Sequence, residues 1–180
     1  MNVDTLDTAR LLLRPISIKH LSQDYVDWLN DPDVNRYLES GGDYTLYKLE
    51  KYLEDMQNKG ILFWGIHLVK NGIHIGNIKV DPINARHGLG EYGIMIGRKS
   101  EWGNGYAEEA TRKVIQYCFE VVGLRKITLG VVSENSHAVE LYERMGFVVE
   151  GKYTKHGLYS GKYCDVLRMA LFNPSFNFNV

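Results

Sequence analysis

The stretch Glu101–Ala110, EWGNGYAEEA, sets Gly103 and Gly105 two residues apart at the head of a helix-like run. A strand that turns on glycines into a helix aims backbone N–H groups at one point, a common way for a chain to hold an anion. Two familiar phosphate motifs fail here on spacing. Counted from Gly97, the second glycine of GxxxxGK[ST] falls on Trp102, and the chain contains no Gly-Lys-Ser or Gly-Lys-Thr. Counted from Gly103, the third glycine of GxGxxG/A falls on Glu108, and no second strand–helix–strand half completes a dinucleotide fold. What remains is a diphosphate straddled by the loop and the helix start, with N–H groups from Gly103 to Glu108 turned outward. A plain strand-to-helix turn is the competing reading of these residues alone.

Working outward, the run before the loop, EYGIMIG (Glu91–Gly97), alternates as a strand, and Gly93 and Gly97 suit a bulge or a close approach. The run after it, YAEEATRKVIQYCFEVVG, places Ala107, Ala110, Val114, Cys118 and Val121 on one helical face and turns Glu108, Glu109, Arg112, Lys113 and Gln116 to water. KITLGVV follows as a buried strand, and NSHAVELYERMGF as a helix stopped at Gly146. Two strands, FVVEGKYTK and GKYCDVLRMALF, close the pattern. Toward the N-terminus, TARLLLRPI is a strand, SIKHLSQDYVDWLND a helix capped by Ser17, and TLYKLEKYLEDMQNKG a second helix ending at Gly60. The turn-rich run with Pro32 and the Gly41–Gly42 pair separates those helices. Asn71–Gly72 joins two β-rich runs as a hairpin. The order β-α-α-β-β-β-α-β-α-β-β is a mixed α/β domain with one strand–helix–strand crossover.

Composition bounds the function. The 180 residues carry 44% hydrophobic and 24% charged side chains, enough for one domain with a developed core. A net charge of −1 without a basic block gives no footprint for nucleic acid. No apolar run approaches the roughly 20 residues of a membrane span. The first residues, MNVDTLDTARLLL, lack a basic n-region and cleavage site, so the expected location is cytoplasmic, away from membranes. Cys118 and Cys164 read as two reduced thiols. The six histidines look scattered, with no HExxH or similar spacing, and no metal is expected.

Strand EYGIMIG, loop EWGNGYA and helix EEATRKVIQYCFE together resemble the acetyl-coenzyme A signature of the GNAT acyltransferase superfamily, Q/R-x-x-G-x-G/A. Trp102 stands at the Q/R place, Gly105 at the glycine and Ala107 at the final position. The Trp departs from the general pattern but is similar to the branch of ribosomal-protein N-acetyltransferases. A second match, Asn135–Phe147, resembles the family's N-x-x-A-x-x-L-Y-x-x-x-G-F helix, with Asn135, Ala138, Leu141, Tyr142, Gly146 and Phe147 in place. Two motifs in the right order are far more specific than either alone.

The resemblance implies one acyl-CoA N-acyltransferase domain over 1–180. Its fold is a mostly antiparallel central sheet flanked by helices, with a splayed pair of parallel strands. It implies acetyl-CoA as co-substrate, held by Ile94, Met95, Ile96, Trp102, Gly103, Asn104, Gly105, Tyr106, Ala107, Asn135 and Tyr142. A backbone N–H of Ile94–Ile96 would steady the developing oxyanion. Tyr142 would be the general acid at the departing sulfur, against the alternative that it is simply core. Asn135 is a helix N-cap, a cofactor contact, or both. Some relatives carry a glutamate in the strand after the long helix, where this chain has Gly130. Glu91 is then the leading candidate base, its alternative a solvated strand-end carboxylate; His156 and Asp165 are weaker candidates.

The acceptor regions, WLNDPDVNRYLESGGDYT and GKYTKHGLYSGKYCD, are rich in Tyr, Asn, Asp and Gly, with Arg36, Lys152, Lys155 and Lys162. They resemble, more loosely, enzymes that acetylate nucleotide-linked deoxyamino sugars. Alternatives are a protein N-terminus, another small amine, or a module that binds acetyl-CoA without turnover. A homodimer is compatible with this reading.

Overall fold

The computed structural model describes residues 3–39 and 42–177. Gly41 lies outside them. Eight strands form a mostly antiparallel sheet: β1 (Leu6–Asp7), β2 (Leu11–Pro15), β3 (Leu62–Leu68), β4 (His74–Asn84), β5 (Leu89–Ile96), β6 (Lys126–Val132), β7 (Val148–Tyr159) and β8 (Lys162–Phe172). The order is β1-β2-β3-β4-β5-β6-β8-β7, and β5–β6 is its parallel pair. The α-helices are α1 (Gln23–Asn30), α2 (Pro32–Asn35), α3 (Leu46–Lys59), α4 (Tyr106–Glu120) and α5 (Ser136–Arg144). The chain divides into two compact units. One comprises the residues up to Asp81 with Gly93–Lys113; the other comprises Pro82–Tyr92 with the residues from Val114 onward.

In the first unit, β2 and β3 carry the core. Every residue of β3 is buried, which is why its sequence is a continuous apolar run rather than an alternating one. Helices α1 and α3 close over it with Tyr25, Val26, Leu29, Leu49 and Leu53 against Ile16 and Phe63. Thr45 caps α3, and Gly60, the stop expected from the sequence, ends it in the left-handed region. The first helix differs from expectation. Ser17 heads a single 3-10 turn, Ile18–His20, and Leu21 is extended, so helical hydrogen bonding cannot continue through it. The helix proper starts at Gln23, where Ser22 accepts from the Tyr25 N–H. The Pro32 segment is also more ordered than a turn. Pro32 opens the one-turn α2, where its missing N–H costs nothing, and Asp31 caps it.

The structure also gathers three of the six histidines that look scattered in sequence. His20, His67 and His74 meet on this unit's sheet, with His67 stacked on His74 at 4.9 Å and His20 edge-on to His74 at 5.1 Å. One set of neutral tautomers links His20 and His67 in a relay. The Ser17 N–H donates to His20 Nδ1, His20 Nε2–H donates to His67 Nε2 at 3.2 Å, and His67 Nδ1–H donates to the Gly72 carbonyl. Gly65 is glycine because a Cβ there would strike the His20 ring. Burial pushes His20 down to about 4, and burial with the neighbouring His20 and His67 pushes His74 down to about 3. His74 in turn packs edge-on against the Trp28 indole at 5.0 Å. The same indole lies where a Cβ on Gly97 would be. Gly97 is therefore required by Trp28, whereas Gly93 has ordinary room for a side chain.

In the second unit, β5 pairs with β6 over Leu89–Lys126, Gly90–Ile127 and Glu91–Thr128, and β6 then runs on to Val132 against β8. The β7–β8 hairpin is irregular, with register shifts between Val149 and Gly151 and between Tyr153 and Gly157. In the second irregularity Lys155 has φ 49°, and its N–H is held by the Asp165 carboxylate at 2.8 Å. Val121 is exposed rather than part of the α4 face, since the helix ends at Glu120. Among the described residues no helix is long and apolar enough to cross a membrane.

The histidine cluster gives a pH expectation. A histidine whose folded-state pKa is depressed stabilises the fold above about 6.5 and loses that contribution as pH falls toward its folded value. The thermal midpoint should therefore fall progressively below about pH 6.5. His74→Asn should flatten that slope relative to the parent in melts recorded from pH 7.5 to 4; parallel slopes would exclude the cluster as its source.

Candidate donor and acyl-transfer site

The loop ahead of α4 is built on two left-handed residues, Gly103 at φ 74° and Gly105 at φ 76°. A side chain at either would cost roughly 1–2 kcal/mol in that conformation, which fixes both as glycine. Nothing crowds the Gly103 Cβ direction, so its backbone is open on that side. The indole of Trp102 is 45% exposed, and its Nε1–H donates to the Ile96 carbonyl at 2.7 Å, tying the loop to the end of β5. Ile94, Met95 and Ile96 are half-buried along that strand, and Ala107 is half-buried in the first turn of α4. Asn104 is exposed, and Tyr106 is buried at the start of the helix.

The segment Gly97–Lys99, just before the loop, is pinned by α1 and α2. Trp28 packs on Gly97, Arg98 pairs with Asp24, and Lys99 reaches both Asp31 at 2.7 Å and Asp33 at 2.9 Å. On the other flank, Glu109 does not face water as its helical position suggests. Its side chain is only 19% exposed and is bound by Thr8 and Arg10 of the N-terminal strand region. Burial pushes that carboxyl up, but the hydrogen bonds from Thr8 and Arg10 outweigh burial and hold it below the usual range. Glu108, the neighbouring acid, is paired with Arg112 one turn on. Nothing in the local sequence of α4 signals the Arg10 contact, which spans 99 residues of chain.

The second unit holds the other candidates. Tyr142 on α5 is buried, with Tyr92 edge-on at 5.9 Å and Phe147 tilted at 5.6 Å. Its hydroxyl has no hydrogen-bond partner among the described residues. Burial pushes the phenol up to about 12. Asn135 is an N-cap: its side chain accepts from the Ala138 N–H.

Glu91 is not a solvated strand-end carboxylate. Arg168 grips it with two N–H donors at 2.7 and 2.6 Å, and the Thr128 hydroxyl donates at 2.6 Å. Three of its roughly four lone-pair sites are thereby committed. Arg168 lies over Gly130, where a Cβ would come within 2.9 Å of its Nη1. The place that carries an acid in some acyltransferases is thus covered here by a guanidinium reaching from β8 to β5. Pairing with Glu91 holds Arg168 above its ordinary range. Asp165 is engaged by the Lys155 N–H and by Lys152 at 2.9 Å, and its carboxyl is held below the usual range. His156 packs on the Tyr153 ring at 4.9 Å. Among the described residues no group of three or more His, Cys, Asp and Glu side chains is arranged to hold a metal ion.

These features can be set beside known proteins. The model of the acetyltransferase (GNAT) domain matches residues 10–148. A spermidine N(1)-acetyltransferase of Vibrio cholerae is 35% identical over 102 residues, which is 57% of this chain and 58% of that protein. The p20 N-acetyltransferase of Bacillus licheniformis, itself uncharacterized, is 26% identical over 97% of this chain and 99% of its own. Among solved structures, the Vibrio cholerae spermidine N-acetyltransferase in complex with CoA and spermine superposes with a TM-score of 0.84 at 26% identity, covering 92% of this chain and 97% of that one. A GNAT-family acetyltransferase from Bacillus anthracis shares the fold, with a TM-score of 0.82 at 22% identity over 94% of this chain and 99% of that one. The family match runs through the glycine loop, α4 and the α5 helix that carries Tyr142, and by it the chain belongs to the GNAT acetyltransferase family.

Proposed function

We propose that this protein is a cytoplasmic N-acetyltransferase that moves the acetyl group of acetyl-CoA to the primary amine of a small molecule by direct attack. The observation that carries this reading is the pair of left-handed glycines opening α4, which frees backbone N–H groups for the CoA diphosphate. In the reaction, nitrogen bonds to the thioester carbon, the carbon–sulfur bond breaks, and the proton lost by nitrogen ends on sulfur. Tyr142 is the group we assign to the departing sulfur. A phenol is protonated at neutral pH, and burial keeps this one in that form, so it enters the step with a proton to give. Glu91 is a poor base in this arrangement, because accepting a proton would break hydrogen bonds to Arg168 or Thr128. An amine that arrives neutral needs no protein base.

For the acceptor, two readings have support. The relatives named as spermidine acetyltransferases favour a polyamine. Against this, Asp24, Asp31 and Asp33 of the early helices are engaged by Arg98 and Lys99, two cations that offset all but one of the three negative charges. The exposed Tyr153 and Tyr163 of the last hairpin suit stacking on a nucleotide, which favours a nucleotide-linked deoxyamino sugar. The hairpin cations are less available for phosphate, since Lys152 and Lys162 pair with Asp165 and Glu134.

Release of CoA thiol should accelerate with one class in a panel of spermidine, a nucleotide-linked amino sugar, an amino acid and a peptide with a free N-terminus. CoA binding with no acceleration by any amine would favour a binding module instead. Tyr142→Phe should lower kcat by about 10²-fold while leaving the KM for acetyl-CoA within about twofold. Full turnover in that variant would remove the proton-donor assignment.

A further inference from the structure

We infer that Arg10 is a positioning residue for the diphosphate of the acyl donor, acting from behind the glycine loop. This rests on the acetyl-CoA reading above and adds to it a residue outside the loop and helix that form the cradle. The electrostatics of α4 pose the problem. Its first turn carries Glu108 and Glu109, and two carboxylates beside N–H groups that must receive a diphosphate would repel it. Each is cancelled by an arginine: Glu108 by Arg112 within the helix, and Glu109 by Arg10 from the other end of the chain.

Arg10 does more than cancel charge. Its Nε donates to Glu109 Oε2 at 2.6 Å, and its backbone N–H donates to Oε1 at 2.9 Å, beside the Thr8 hydroxyl. Its Nη1 donates to the Asn104 carbonyl at 3.0 Å. The guanidinium lies over the Tyr106 ring at 4.6 Å, and its Nη2 sits 3.7 Å from the point where a Cβ on Gly105 would be. The grip on Asn104 sets a direction. In a planar trans peptide the C=O and the following N–H point opposite ways. Holding the Asn104 oxygen toward Arg10 therefore turns the Gly105 N–H to the far side of the loop, where an anion is received. Glycine at 105 is free to rotate, so without this hold the loop has no side chain of its own to fix that peptide plane. A lysine cannot replace this, because one ammonium lacks the fork that reaches Glu109 and Asn104 together.

The test compares two donors: acetyl-CoA, and S-acetylpantetheine, which lacks the diphosphate. In Arg10→Lys and Arg10→Ala, kcat/KM with acetyl-CoA should fall about tenfold or more, mostly through KM, while that with S-acetylpantetheine stays within about twofold. Adding Glu109→Gln to Arg10→Ala removes the uncancelled carboxylate and should restore part of the loss, with titration of CoA showing the same order of affinities. An equal fall with both donors would make Arg10 merely structural and overturn the assignment, as would unchanged acetyl-CoA kinetics. If Arg10→Ala does not fold, Arg10→Lys decides by the same donor comparison. Wild-type protein that binds no CoA would instead overturn the donor reading beneath this one.

Discussion

A carboxylate in the first turn of α4 is the constraint around which the start of that helix and the glycine loop before it are arranged. Glu109 sits where a helix welcomes negative charge and where a bound diphosphate does not. The chain resolves the conflict by bringing Arg10 and Thr8 from the N-terminal strand region onto it, so the acid is paired and mostly buried. That pairing fixes the start of α4 against the N-terminal end of β2 and lays a guanidinium along the back of the glycine loop. The loop is then held from both flanks, because Trp28, Asp24, Asp31 and Asp33 pin the three residues that precede it.

The same logic of enforced neutrality recurs elsewhere. His20, His67 and His74 are packed together, and a relay through neutral His20 and His67 runs from the Ser17 N–H to the Gly72 carbonyl. The cluster supports Trp28, whose indole is the seat for Gly97, so its charge state bears on the segment leading to the loop. In the second unit, Glu91 and Arg168 cancel each other over a glycine that leaves room for the guanidinium. Charges in each unit are thus spent on one another, and Tyr142, buried between Tyr92 and Phe147, is the residue proposed above as the proton donor.

Much of this is legible in the sequence because it depends on local rules. Gly103 and Gly105 announce left-handed residues, Asn135 a cap, Asn71–Gly72 a hairpin, and Gly60, Gly123 and Gly146 chain turns with positive φ. The errors share one cause. Ser17 looks like the helix cap because both Ser17 and Ser22 fit the pattern, and only the extended Leu21 separates them. Glu109 looks solvated because helical spacing cannot show that another strand lies alongside. The histidines look scattered because residues 20, 67 and 74 belong to a 3-10 turn and two strands that meet only in the folded sheet.

The sequence by itself determined the family, the strand–loop–helix proposed to receive the donor, and the candidacy of Tyr142, since each rests on residue types at fixed short spacing. Tertiary structure decided which charges remain available. It buried Glu109 under Arg10, closed Glu91 with Arg168 and Thr128, and gathered three histidines into a neutral cluster. The reason is that ion pairing and desolvation depend on distance through space, and residues separated by tens of positions come within hydrogen-bonding reach only when the sheet is assembled.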